Sequence, residues 1–154
     1  MSRTFDEIIA CLAALQARDF DSKTPGAKGG ERLAELTREL RELPQPERAV
    51  PALFDVMERM PDSDLGTPGP LVHTLESMPG RYESELVESL RRRPVVLSIW
   101  MVNRILNAAV DMEQRQFYIN LLGDAVAHPE ASELVRDQAL HFIQYQAKKS
   151  AAAY

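Results

Sequence analysis

The sequence predicts an all-α fold of about eight short helices in consecutive antiparallel pairs, arranged as a helical bundle or a short α-solenoid. Three observations carry that expectation. Apolar residues recur every three or four positions through most of the chain, the period of an amphipathic helix. The segments so patterned are of ordinary helix length rather than strand length. Between them lie short breaks marked by proline and glycine, which favour antiparallel neighbours.

The first helix opens at Thr4, with Glu7 three residues on in capping-box spacing, and continues through Phe5, Ile8, Ile9, Leu12 and Leu15 to about Asp19. Residues 21–30, Asp-Ser-Lys-Thr-Pro-Gly-Ala-Lys-Gly-Gly, have no periodicity and predict a mobile loop. A second helix, Glu31 to Leu43, puts Leu33, Leu36, Leu40 and Leu43 on one stripe and Glu35 and Glu39 on the opposite face; Pro44 and Pro46 stop it. The third, about Glu47 to Met60, aligns Val50, Leu53, Phe54, Met57 and Met60, with Pro51 early enough to be tolerated. Pro61-Asp62-Ser63-Asp64 then breaks the chain.

Gly66-Thr67-Pro68-Gly69-Pro70 leads into a short fourth helix, Leu71 to Met78, closed by Pro79-Gly80. The fifth spans Tyr82 to Arg92, where Arg91, Arg92 and Arg93 complement the carbonyl end of the dipole. The sixth starts at Pro94. Its Val95 to Val102 stretch is apolar on nearly every face, which predicts the central buried helix. Val95 to Ile99 are locally strand-like, but the segment runs unbroken to Ala109, longer than an ordinary strand. The seventh helix, about Met112 to Ala127, carries Phe117, Leu121, Leu122, Ala125 and Val126. Pro129 ends it and begins the eighth, with Leu134, Leu140, Phe142, Ile143 and Tyr145, before a tail from Lys148 to Tyr154 that is expected to fray.

With 154 residues, 45% of them hydrophobic, the chain is expected to form one domain over residues 1–154. Met1 to Asp21 reads as a charged amphipathic segment rather than a leader, and no apolar run approaches membrane-spanning length, so the expected compartment is the cytoplasm. The single cysteine, Cys11, lies in an apolar stretch and reads as a packed, inert thiol. Twenty-three acidic and 18 basic side chains give a net charge of −5, which argues against nucleic-acid binding and suits a basic protein partner.

No catalytic signature is present. Gly26, Gly29 and Gly30 lack the spacing of a phosphate-binding loop, and no serine sits in a nucleophile elbow. His73, His128 and His141 are isolated from one another and from Cys11, which leaves no metal-ligand spacing. The expectation is a protein that is not an enzyme, with no catalytic, cofactor-binding or metal-binding residues.

His73 and Glu76 share a face of the fourth helix, and Asn103, Arg104 and Asn107 interrupt the apolar sixth. A guanidinium buried with that helix requires an acidic partner, so these five residues are expected to form a structural polar network in which Glu76 meets Arg104. The rival reading, half of a metal or acid/base site at His73 and Glu76, requires the same residues to converge on a solvent cleft. Around the middle turns Asp62, Asp64, Glu83, Glu85 and Glu88 gather with Tyr82, and this set is the candidate partner-binding surface, with Tyr118 and Tyr145 as further aromatic candidates; the alternatives are a solvated acidic face and half-buried packing of each tyrosine.

The stretch Gly66-Thr67-Pro68-Gly69-Pro70-Leu71-Val72-His73-Thr74-Leu75-Glu76, followed by Tyr82 and Leu86, Arg93-Pro94 and Met101-Val102-Asn103-Arg104-Ile105-Leu106-Asn107, resembles a group of small HEAT-like immunity proteins that accompany bacterial polymorphic and contact-dependent toxins. The resemblance covers roughly residues 66–145; residues 1–60 match no family. It implies a HEAT-like helical stack that binds and neutralises a cognate toxin in the cytoplasm, and the acidic balance suits a basic toxin such as a nuclease. The alternative is a general HEAT-like helical adaptor with no toxin partner.

Overall fold

The computed structural model describes residues 2–109 and 111–152. It is all-helical. Among the described residues there are eight α-helices: α1 Phe5–Ala14, α2 Gly29–Glu42, α3 Val50–Arg59, α4 Gly69–Glu76, α5 Glu83–Arg92, α6 Val96–Ala108, α7 Met112–Ala127 and α8 Glu133–Ala152. Two 3-10 helices, Ala17–Phe20 and Pro46–Ala49, join them, and no strand is present among these residues. The chain divides into two compact units, Met1–Glu85 and Leu86–Tyr154.

In the first unit the local chemistry places each end. Thr4 caps α1 as a full capping box with Glu7, at 3.2 and 3.3 Å. The helix stops at Ala14 rather than near Asp19. Leu15 turns extended, and the Asp19 carboxylate takes the Gln16 N–H at 2.8 Å to begin a separate 3-10 turn. Arg59, at the end of α3, donates to the carbonyls of Leu12 and Leu15, each at 2.9 Å, beside the Leu15 N–H that Leu12 also accepts at 3.3 Å. These contacts make α1 and α3 parallel. Arg3, at the start of α1, meets Glu35 and Glu39 on α2, which makes α1 and α2 antiparallel. Leu33, Leu36, Leu40, Leu53, Phe54, Val56, Leu71 and Leu75 close the core between these helices and α4.

Three expectations are corrected here. Gly29 and Gly30 belong to the first turn of α2, not to the loop. The expected third helix is divided between Ala49 and Val50: Pro46–Ala49 winds as a 3-10 turn, and the α-helix starts at Val50, with Pro51, which lacks an N–H to donate, in its first turn. Glu39 is not on a solvent face: it is 6% exposed and held by Arg3.

In the second unit α6, α7 and α8 run up, down and up. Arg115, in the first turn of α7, reaches the Leu106 carbonyl near the end of α6 and both Gln146 and Ser150 near the end of α8. Asp111 caps α7 through the Gln114 N–H at 3.0 Å. Ser132 caps α8 through the Val135 N–H at 3.1 Å, so this helix begins at Glu133 and not at Pro129. The tail expected to fray stays helical to Ala152; Ala153 and Tyr154 lie outside the described residues.

The core of this unit takes Ile99, Met101, Val102 and Leu106 from α6, Tyr118, Leu121, Leu122 and Ala125 from α7, and Val135 and Ala139 from α8. α6 is not buried all round, since Arg104, Asn107 and Ala108 are exposed. No helix among the described residues is long and apolar enough to cross a membrane.

Candidate functional site

Two members of the expected polar network, Asn103 and Asn107, are joined through residues the sequence reading did not single out. Gln146, fully buried, donates through Nε2 to Asn103 Oδ1 at 2.7 Å and Asn107 Oδ1 at 2.9 Å, and accepts from Arg115 at 3.1 Å. Lys149 adds a contact to Asn107 at 3.2 Å. Asn103 and Asn107 thus fasten α6 to α8, while Arg115 ties in α7. The expectation that Arg104 is buried is corrected: the residue is exposed and points away from the stripe of Ile99, Val102 and Leu106. His73 is exposed on α4 and Glu76 is half-buried there, both in the first unit.

The acidic residues proposed for partner contact are largely committed to their own turns. Glu83 accepts the N–H groups of Gly80 and Tyr82 and so fixes the entry to α5. Asp64 accepts the Gly66 N–H at 3.1 Å, and Glu88 pairs with Arg91 at 3.0 Å. Asp62 is exposed and Glu85 half-buried. Tyr82 and Tyr118 are not exposed anchors; they are 7% and 6% exposed and belong to the core. Tyr145, at 45%, is exposed.

A different surface stands out in the second unit. The large hydrophobic side chains that remain exposed are Met112 and Phe117 on α7 and Leu134, Leu140 and Tyr145 on α8. Four of these had been expected in the helix stripes. For the three on α8 the reason is its rotation: Val135, Ala139 and Gln146 face inward, and at about 100° per residue Leu134 and Tyr145 fall on one flank of the outward side and Leu140 on the other. Small Ala131 and Ala139 let α8 sit close without its larger side chains.

Leu134 and Tyr145, eleven residues apart, span about 17 Å along the helix. Exposed Glu133 and Asp137 stand among these apolar groups, and exposed Glu113 and Asp124 share the face of α7 that carries Phe117. Phe117 is held edge-on against Tyr118, with ring centroids 5.2 Å apart, which restrains it without burying it. Chemically the arrangement is a set of exposed apolar side chains, with acidic neighbours at Phe117, Leu134 and Leu140 and with exposed Lys148 and Lys149 one turn beyond Tyr145. Sequence periodicity could not find it, because an apolar residue at helical spacing reads as core until the neighbouring helix shows which arc is covered. No protein-family model matches this chain, and neither does any curated protein or solved structure.

Proposed function

We propose that this protein is a non-catalytic binding protein, HEAT-like in its helix pairing, that neutralises a basic protein toxin in the cytoplasm by docking it on the outward face of α8 and the adjoining Phe117. One observation carries this reading: the exposed large hydrophobic side chains gather on α7 and α8, and Phe117, Leu134 and Leu140 stand among acidic ones. An apolar centre supplies affinity once it is desolvated, and acidic neighbours steer a basic partner and set its orientation. The net charge of −5 favours the same class of partner. The likeness of residues 66–145 to toxin-immunity proteins supports a toxin as that partner, with a nuclease domain as the basic protein of first choice.

The test is co-expression with the product of the adjacent gene, scored for a complex that survives purification and for rescue of growth. A complex with rescue supports the reading. Failure of both removes the toxin pairing, and a complex without any toxicity to relieve favours an adaptor.

A further inference from the structure

A second site lies in the first unit, between α2 and α4. A cleft of about 600 Å³ is lined there by Arg38, Arg41, His73 and Thr74, with Ala34 and Pro70 as apolar walls. Arg38 and Arg41 are exposed on α2, and neither guanidinium is hydrogen-bonded or ion-paired to a described residue. Glu42 also lines the cleft, yet it makes no ion pair with either arginine among the described residues. Two cationic forks therefore open on one volume with their donors uncommitted.

Thr74 supplies an independent observation. It is 1% exposed, and its hydroxyl has no hydrogen-bond partner among the described residues, although the neighbouring Thr37 hydroxyl is satisfied by the Leu33 carbonyl at 2.9 Å. Among the described residues every fully enclosed side-chain nitrogen or oxygen has a partner, so the Thr74 hydroxyl must open on the cleft it lines. α4 begins at Gly69, which also lines the cleft, so the positive end of that helix faces the same volume.

We infer that this cleft binds the phosphoryl group of a small phosphorylated molecule, with Arg38 and Arg41 as bidentate clamps and the Thr74 hydroxyl and His73 ring as further donors. Guanidinium groups match phosphate oxygens in bidentate pairs, and the three free oxygens of a phosphoryl group can engage both forks at once. The volume lies in the range of small-molecule sites and far exceeds one phosphate ion, so the ligand carries a body that rests against Ala34 and Pro70. The site is independent of the toxin-binding surface and stands whether or not that reading holds.

The experiment is a titration of the isotope-labelled full chain with inorganic phosphate and, separately, with adenosine monophosphate, read by amide chemical shifts. Saturable shifts centred on Ala34, Gly69, His73 and Thr74 are expected, with the midpoint raised at least about tenfold in Arg38→Ala/Arg41→Ala. Both substitutions are at exposed positions and leave the fold intact, which the unperturbed part of the spectrum verifies. Tighter binding of the nucleotide places a body in the cleft and supports the site as proposed; nucleotide binding no tighter than that of inorganic phosphate overturns the body against Ala34 and Pro70. Absence of saturable shifts with either probe, or shifts undiminished in the double variant, overturns the site.

Discussion

Gln146 Nε2 stands 2.7 Å from Asn103 Oδ1, and through that contact a fully buried amide joins the last helix of the second unit to α6. The same amide serves Asn107 and Arg115, so three helices share one polar hub. Replacing Gln146 by Leu keeps the volume but leaves these partners unanswered, and is expected to cost about 1–3 kcal/mol in urea unfolding. Asn107→Ala, at an exposed position, should cost less than about 1 kcal/mol. An equal effect of the two would remove Gln146 from the centre of the hub.

Glu39 carries a pH dependence. The Arg3 backbone N–H, donating at 2.7 Å, and then the nearby Arg3 charge hold its carboxyl below the usual carboxylate range, against the opposing effect of burial. A carboxylate with a depressed folded-state value stabilises the fold above its unfolded value, and that stability is lost as pH falls through the folded one. Glu39→Gln is therefore expected to lower the thermal midpoint at pH 7 and to converge with the wild type in acid, as pH falls through the folded-state value. A midpoint difference that is constant across this range would rule out the charge as the cause.

Two glycines should respond in opposite directions to the same change. Gly66 has φ +108°, and a Cβ there would fall against the Gly69 Cα, so Gly66→Ala is expected to destabilise by about 1–3 kcal/mol. Gly123 sits inside α7 with nothing within 4 Å of a Cβ, so Gly123→Ala should stabilise by about 0.5–1 kcal/mol. Thermal unfolding of both variants checks the pair.

The helices were legible because their signals are local. Thr4 with Glu7, Pro44 after α2 and the span Met112–Ala127 each depend on a few neighbouring residues. What escaped depends on partners distant in sequence. Glu39 looked solvated until Arg3, 36 residues away, was placed on it. Arg104 looked buried because its helix is apolar, yet it lies about half a turn round from the covered stripe. Leu134, Leu140 and Tyr145 looked like core for the same reason, since periodicity gives a helix its faces but not which of them is covered. Gln146 gave no signal at all in the polar run Gln144-Tyr145-Gln146.

The outward face of α8 is the centre of the account. Leu134→Asp/Tyr145→Asp changes two side chains that are 58% and 45% exposed, so helicity and thermal midpoint should stay near those of the wild type. The direct measurement is the dissociation constant, by calorimetry, between this protein and the adjacent gene's product, for the wild type and this double variant. The account predicts a tight wild-type complex that weakens at least about a hundredfold in the variant, together with loss of growth rescue. A complex of unchanged affinity, or no complex with the wild type, would contradict it.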